Sequence, residues 1–372
     1  MRTIRFPKTV LAAVLAGLLA ATSAGSAATR ALDLPARLTD QEFWRLSTEL
    51  SEPNGSFRSD NVLSNEMVFA RVLPMLVQAT KPGGVYLGVG PEQNFTYIGA
   101  MRARMAFITD IRRENLHVHL MYKALFEISA DRAEFVSRLF TKPRPANLTK
   151  TSSIADIMNA YWDAPTADEK AFAANLQAVQ RHLTRTRSIP LPQEDLDGVA
   201  TAYRAFYFYG PAMNYSASLA LTRLGGGNAA TYHDPMTQTG PDGAPLGYLG
   251  TEEKFLYLKE LQQKNLIVPL VGNFGGPKAI RAIGAYVRSR GAAVDAFYVS
   301  SVEPYLKRAG TFETFCESVA TLPMTDASIF IRIGNINNLI MSGADVPPPS
   351  PGAPRLGTYQ VGVLMPLRTG CR

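Results

Sequence analysis

The spacing of apolar and polar residues predicts a layered α/β protein. Short continuous apolar runs, typical of buried parallel strands, occur as "GVYLGVG", "MAFITD", "LIVPLVGN", "AAVDAFYVSS" and "SIFIRIGN". Between several of them the apolar residues recur at helical spacing, as in "TEEKFLYLKELQQKN" and "GPKAIRAIGAYVRSRG". This alternation predicts an open, mostly parallel Rossmann-like sheet that is flanked by helices.

The same pattern divides the chain into regions. In order, they are a signal peptide at 1–28, a helical N-terminal segment at 29–83, a Rossmann-like domain at 84–340 with a helical and loop insert at about 145–250, and a proline-rich tail at 341–372. The N-terminal segment is predicted to hold a helix to about Leu50 and another from about Ser64. Residues 114–140 predict one long helix.

The N-terminus has the order of an export signal. Three basic residues, Arg2, Arg5 and Lys8, precede an apolar run from Val10 to Ala21 and then small residues, which predicts cleavage near Ala27 or Ala28. A retained anchor is the alternative, although the run is short for a bilayer span and no later stretch is better suited. We therefore expect a periplasmic or secreted protein without stable membrane insertion.

Composition and charge narrow the functional class. With 46% hydrophobic and 19% charged residues, the chain can bury a substantial core. Only three of the 38 Lys and Arg residues lie in 1–28, so the remainder has 35 basic residues against 31 acidic ones, a formal charge of +4. No dense basic patch remains, so no nucleic-acid partner is expected. We interpret the short basic cluster "RHLTRTR" (181–187) as a solvated helix face.

The pattern of cysteine and histidine residues does not predict a metal site. Two cysteines, Cys316 and Cys371, are too few for a disulfide scaffold or a cysteine-based zinc site, and whether they form a single bridge stays open. His117 and His119 fall on a predicted helix, which separates two such side chains by about 200°. We therefore expect no metal site at this pair.

A glycine turn after the first strand is the clearest candidate site. Gly88 and Gly90 end the run "GVYLGVG", and Asp110 ends the next strand, 20 residues after Gly90. An acid at this spacing suits the ribose hydroxyls of a nucleoside. Position 93 is Gln where the dinucleotide fingerprint needs a third glycine, and Pro91 removes a backbone amide. The motif therefore disfavours a dinucleotide.

The motif resembles the first motif of the class I S-adenosylmethionine-dependent methyltransferases. The resemblance implies that Gly88 and Gly90 form the cofactor turn and that Asp110 binds the ribose. That family often has an acid two residues before the first glycine, where this chain has Tyr86. Most of the chain after the signal, including "SEPNGSFRSDNVLSNE" and "GNFGGPKAIRAIGAYVRSRGAAVDAFYVSSVEPYL", is similar to a bacterial family of uncharacterised exported proteins with this methyltransferase-like fold.

Further polar residues are candidates for binding a ligand in the same crevice. They are Ser59, Asp60, Asn61 and Glu66 in "FRSDNVLSNE", Asn273 in "LVGNFGGPKAIR", and Ser300 and Glu303 in "YVSSVEPYL". The first run has more polar groups than helix capping requires. The other two follow predicted strands, where free amides at a helix start bind anions or polar ligands. Ordinary capping and strand-to-helix turns are the alternatives.

Two functions fit these observations. The first is an exported methyltransferase-type enzyme that binds S-adenosylmethionine or a related nucleoside, and methyl transfer requires positioning more than a nucleophilic side chain. The second is a non-catalytic periplasmic protein that binds a small polar molecule in the same crevice. The export signal favours the second, because S-adenosylmethionine is a cytosolic metabolite.

Overall fold

The continuous apolar runs form the parallel strands of a central sheet. In this computed structural model, which describes residues 34–57, 62–64, 66–67, 69–214, 230–335, 360–366 and 371, the sheet has six strands in the order β3-β2-β1-β4-β5-β6. Their bounds are β1 Val85–Val89, β2 Met105–Asp110, β3 Ile267–Val271, β4 Val294–Ser300, β5 Ile329–Asn335 and β6 Gln360–Pro366. The first five are parallel, and β6 is antiparallel to β5. The predicted α/β Rossmann-like class is confirmed.

Helices flank this sheet and fill the connections. They are α1 Asp40–Glu49, α2 Phe69–Ala79, α3 Gln93–Ala100, α4 Arg113–Ile128, α5 Arg132–Phe140, α6 Ile154–Asp163, α7 Glu169–Arg181, α8 Gln193–Tyr209, α9 His233–Thr237, α10 Glu252–Gln263, α11 Ala279–Ser289, α12 Glu303–Arg308 and α13 Phe312–Ala320. A π-helix at His182–Thr186 and a 3₁₀-helix at Gly210–Ala212 complete the set. None of the described helices is long and apolar enough to cross a membrane.

The strand order fixes where a ligand can approach. β2 and β3 lie on one side of β1, whereas β4 lies on its other side, so the order in which the strands are added reverses at β1. In open parallel sheets, such a switch point leaves a crevice at the carboxyl ends of the strands. The residues after Val89 and after Val299 therefore come together at one edge.

The N-terminal segment lies along this edge of the sheet. α1 packs on β3, where Ser47 Oγ donates a hydrogen bond of 2.6 Å to Pro269 O. After α1, the backbone amides of Glu52 and Gly55 bond the carbonyls of Val271 and Ile111, both at 2.9 Å. The segment therefore closes one side of the crevice, and α2 begins at Phe69 rather than near Ser64 as predicted.

A series of helices from α4 to α10, called the insert below, separates β2 from β3. The single long helix expected over 114–140 is wrong, because α4 ends at Ile128 and α5 begins at Arg132. Ser129 has extended backbone angles, and the side chain of Asp131 accepts the amide of Glu134 at 2.8 Å. Asp131 is thus the N-cap that starts a new helix.

Buried ion pairs hold the insert together. The carboxylate of Asp195 in α8 is fully buried and accepts Arg113 Nε at 2.6 Å, Arg113 Nη2 at 2.7 Å and His117 Nε2 at 2.8 Å. These contacts attach α8 to the start of α4. Because Arg113 and His117 stabilise the ionised form, the pKa of Asp195 is about 2 despite its burial.

The basic cluster at 181–187 is only partly a solvated surface. His182 Nε2 and Arg187 Nε contact Glu127 Oε2 at 2.7 and 2.5 Å, and the Glu127 side chain is 1% exposed. The π-helix brings these two side chains to the insert's interior. The interpretation of the whole cluster as a solvated face is therefore wrong for His182 and Arg187.

The C-terminal region contains an element that the sequence analysis did not predict. β6 lies inside the stretch 341–372, which was assigned as a tail, and pairs with β5 along its whole length, from Ile329 opposite Pro366 to Asn335 opposite Gln360. Beyond β6, Cys371 forms a disulfide with Cys316 of α13, with 5.5 Å between their Cα atoms. The question of a bridge that the sequence left open is thereby answered.

Candidate functional site

A cleft of about 380 Å³ opens at the carboxyl edge of the sheet. Its walls come from the ends of four strands, from the N-terminal segment and from the start of α12. The lining residues include Phe57, Ser64, Glu66, Gly90, Asp110, Arg112, Asn273, Phe274, Tyr298, Ser300 and Tyr305. The volume lies within the range of small-molecule sites.

The turn after β1 is held from behind by two side chains. Asn94 Nδ2 donates to the carbonyls of Val89, Gly90 and Pro91 at 3.0, 3.0 and 2.7 Å. His119 Nε2 lies 2.9 Å from Gly90 O, and since a carbonyl only accepts, this nitrogen carries the proton. Burial lowers the pKa of His119 to about 4, so the ring is neutral at physiological pH.

The two glycines of the motif differ in role. Gly90 lines the cleft with a φ of 79°, and apart from its chain neighbours no atom of the described residues lies within 4 Å of the place a Cβ would occupy. Gly88 does not line the cleft. A Cβ there would lie 1.9 Å from Asn94 Oδ1, so a glycine is needed for packing. Tyr86 is fully buried, and its hydroxyl donates to Asn94 Oδ1 at 2.9 Å.

Asp110 reaches the cleft at the end of β2. Its Oδ1 accepts the amide of Arg112 at 2.9 Å and Arg112 Nε at 3.4 Å, while Oδ2 accepts no hydrogen bond from the described part of the chain. Burial raises the pKa of this carboxyl above its usual value, and Arg112 opposes the rise. One carboxylate oxygen is therefore placed to accept hydroxyl donors from a ligand.

Glu66 is a second carboxyl group in the cleft, and the N-terminal segment supplies it. The residue is 6% exposed, and its two oxygens accept the hydroxyls of Tyr298 and Ser300 at the end of β4. Burial raises the pKa of Glu66 to about 7, although both hydroxyls favour the ionised form. The structure thus brings the candidate residues Glu66 and Ser300 together in one cleft.

The backbone at Ser300 is unusual. Its φ is 49°, a left-handed conformation that non-glycine residues seldom adopt, and the pairing of β4 with β5 shifts register between Tyr298 and Ser300. This conformation directs the hydroxyl to Glu66. Backbone strain of this kind is concentrated at functional sites.

Asn273 lines the cleft, but the neighbouring amides are already occupied. Glu52 Oε1 accepts the amides of Lys278 and Ala279 at 2.7 and 2.9 Å, and Glu52 Oε2 accepts that of Asn273 at 2.8 Å. Asn273 Oδ1 in turn accepts the amide of Gly275 at 2.9 Å. The protein's own carboxylate thus satisfies the start of α11, which corrects the expectation of an anion site there.

The remaining candidates are Glu303, which has a structural role, and three residues outside the described part of the chain. Glu303 does not line the cleft, because its carboxylate is buried against Arg332, with Oε1 2.6 Å from Nη2. This ion pair attaches α12 to β5, so the expected ligand contact is corrected to a structural role. Ser59, Asp60 and Asn61 lie outside the described residues.

A comparison with known protein families identifies the group to which the chain is related. A family model described as "Domain of unknown function (DUF7790)" matches residues 62–192 and 229–344, well over half of the chain. The chain belongs to this family. No curated protein matches it. The two matched segments of the family contain Glu66, Gly90, Asp110 and Ser300, which all line the cleft.

Sequence reasoning missed a second buried carboxyl group beside the cleft. Glu92 is 1% exposed, and its Oε1 and Oε2 lie 3.0 and 3.2 Å from the amide of Ser64, which lines the cleft. Burial raises the pKa of Glu92 to about 8, and the negative charge of Glu66 adds to the rise. Its position directly after Pro91 suggested only a helix start, so the motif gave no signal for this contact.

Proposed function

We propose that the cleft binds a nucleoside-containing small molecule, with S-adenosylmethionine as the first candidate, and that the protein is an exported member of the methyltransferase-like folds. The observation that carries the proposal is Asp110, which ends the strand next to the glycine turn and lines a cleft at the switch point of the sheet. Its Oδ2 is available to the two hydroxyls of a ribose.

The residues that line the cleft fit the nucleoside end of S-adenosylmethionine better than its methionine end. Open space in front of Gly90 allows a ligand to approach the backbone turn. Tyr86, at the position where the methyltransferases often have an acid, is buried behind the turn and bonds Asn94. The other end of the ligand would therefore meet Glu66 and the aromatic side chains of the cleft.

When bound, S-adenosylmethionine supplies an electrophilic methyl group. The contribution of this chain would be to bind and orient: Asp110 holds the ribose, and the apolar walls formed by Phe57, Phe274 and Tyr305 exclude water from the reacting end. No nucleophilic side chain is required for in-line transfer to an acceptor.

A second candidate function is an exported binding protein that does not transform its ligand. The Cys316–Cys371 disulfide favours it, because disulfides persist in oxidising compartments such as the periplasm. There the supply of a cytosolic methyl donor is the limiting factor. The ligand would still occupy the same cleft.

Isothermal titration with S-adenosylmethionine and S-adenosylhomocysteine tests the proposal. We expect at least one to bind the purified protein, and Asp110→Ala to weaken binding by about tenfold or more, the loss of hydrogen bonds to a charged acceptor. Asp197→Ala, on the exposed face of α8, is the control and should leave binding unchanged.

The possible results show whether a nucleoside binds, whether it binds at Asp110, and which of the two functions is correct. If neither compound binds the unaltered protein, the nucleoside proposal is wrong. Binding that is unchanged in both Asp110→Ala and Asp110→Asn would place the ligand elsewhere. Mass spectrometry of protein purified from the periplasm decides between the functions, since a different co-purified small molecule would favour the binding protein.

A further inference from the structure

We propose that the cleft recognises a small organic cation and that Glu66 is its counter-ion. The proposal rests on the proposed function in that it uses the same cleft, and it specifies the charge of the ligand. A sulfonium group, as in S-adenosylmethionine, and a quaternary ammonium group both belong to this class.

No cationic side chain of the described residues neutralises the negative charge of Glu66. Both carboxylate oxygens accept hydrogen bonds from neutral hydroxyls, those of Tyr298 and Ser300, and no Lys, Arg or His in the described part of the chain pairs with it. A buried carboxylate without a counter-charge is unfavourable. A cationic ligand in the cleft removes this penalty, whereas an anionic or neutral ligand leaves it.

Among the described residues, the titratable groups that interact with Glu66 are neutral phenols and one further carboxyl group. Tyr298 comes from β4, Tyr86 from β1 and Tyr97 from α3, and burial raises the pKa of all three phenols well above the usual value. Glu92, at the start of α3, adds to the negative potential when it is ionised. The field at this end of the cleft therefore attracts positive charge.

Four aromatic side chains, Phe57, Phe274, Tyr298 and Tyr305, line the same cleft. The rings of Phe57 and Tyr305 meet edge to face with centroids 5.0 Å apart, and the guanidinium of Arg308 lies 4.6 Å from the centroid of the Tyr305 ring. Aromatic faces attract organic cations, and such residues are the usual partners of quaternary ammonium groups. Together with one buried carboxylate, they form a suitable surface for a cation that carries methyl groups.

Among the described residues that line the cleft, Arg112 is the cationic one, and it pairs with Asp110. Its guanidinium lies 3.4 Å from Asp110 Oδ1, and the Arg112 side chain is 8% exposed. The ion pair partly offsets the positive charge of Arg112 at the nucleoside end of the cleft. The ligand that fits has hydroxyl donors at the Asp110 end and a positive group at the Glu66 end.

The test compares two pairs of ligands that differ in charge but hardly in shape. The pairs are S-adenosylmethionine with S-adenosylhomocysteine, and choline with 3,3-dimethylbutan-1-ol. At about pH 8 we expect each cation to bind about tenfold to a hundredfold more tightly than its neutral partner, which is the range for an interaction with a charged group. Glu66→Gln should abolish the preference, and Glu313→Gln, at an exposed position in α13, should retain it.

The unaltered protein supplies a measurement that does not depend on the folding of the variant. Choline keeps its charge at every pH, so its affinity should rise from about pH 6 to pH 8 as Glu66 and then Glu92 ionise. The same titration of Glu92→Gln separates the contributions of the two groups. A choline affinity that does not change with pH would contradict the proposal.

Each result decides between the two proposals. Equal binding of S-adenosylmethionine and S-adenosylhomocysteine, unaffected by Glu66→Gln, would overturn the counter-ion and leave the nucleoside site. If neither nucleoside binds but choline binds through Glu66, the cation site stands and the proposed function fails. If none of the four compounds binds, both are overturned.

Discussion

At the scale of single residues, two buried carboxyl groups beside the cleft make the free energy of unfolding depend on pH. Glu66 and Glu92 have pKa values of about 7 and about 8, and burial is the main cause in both. In the unfolded chain such groups ionise near their ordinary value of about 4.3. Above about pH 4.3 the folded protein therefore holds protons that the unfolded chain releases. These two groups lower the stability as the pH rises from there to about 7 for Glu66 and about 8 for Glu92.

Glu92→Gln should make the protein more stable at about pH 9 and change it little at about pH 5. Gln keeps an oxygen for the amide of Ser64 but has no charge to bury. The gain at the higher pH should be on the order of a few kcal/mol. Urea unfolding at the two pH values measures it, and groups that titrate in both proteins cancel in the difference.

Glu313→Gln, at an exposed position in α13, is the matched control. It should leave the pH dependence of the unfolding free energy as it is in the unaltered protein. An equal gain for Glu92→Gln at both pH values would show that packing, and not the buried charge, determines the effect.

At the scale of elements, the sequence predicted what depends on local pattern. The strands β1 to β5 were recognised because parallel strands that are covered on both faces are continuous apolar runs. β6 was missed because "QVGVLMP" contains Gly362 and Pro366 and follows a proline-rich stretch. The break between α4 and α5 was missed because helical spacing continues across it and the cap, Asp131, looks like any surface acid.

The candidate site was predictable only where the ends of consecutive strands form it. Gly90 and Asp110 end adjacent strands, so strand order alone brings them to one cleft. The capping of α11 at Ala279 by Glu52 and the contact of Glu66 with Ser300 join residues 227 and 234 positions apart. No local spacing encodes such contacts, so a turn that seemed open to an anion proved to be filled by the protein itself.

The attachment of α8 to α4 gives a prediction at this scale. Asp195→Asn should lower the free energy of unfolding by about 3 kcal/mol at neutral pH, because it leaves Arg113 and His117 without a charged partner. The pKa of Asp195 lies below its unfolded value, so its contribution is present above about pH 4 and is lost as the pH falls toward 2. Thermal unfolding at pH 7 and at about pH 2.5 measures both effects.

Asp197→Asn provides the control on the same helix. Asp197 is exposed, and among the described residues its side chain bonds only Gln193 of the same helix, at 2.8 Å. Its loss should cost less than about 1 kcal/mol at either pH. If the two variants were equally unstable, the buried contacts between α8 and α4 would not be what stabilises the insert.

At the scale of the whole molecule, a disulfide links Cys316 of α13 to Cys371, which follows β6 in the chain. The described residues between 33 and 372 form one compact unit, and the bridge joins positions 55 apart within it. β6 is an edge strand that pairs with β5 and packs against α2. A covalent link beyond β6 keeps this strand near its partner in the unfolded chain, which favours the folded state.

Cys371→Ser should therefore lower the free energy of unfolding by about 4 kcal/mol, the chain-entropy value for a loop of this length. Urea unfolding with and without dithiothreitol measures it: the reductant should destabilise the unaltered protein by a similar amount and leave Cys371→Ser unchanged. The double variant with Cys316→Ser should match the single one, since either change opens the same loop. A protein whose stability does not respond to dithiothreitol, and whose thiols react with an alkylating agent before unfolding, would show that the bridge does not form in solution and would remove the support that it gives to an exported protein.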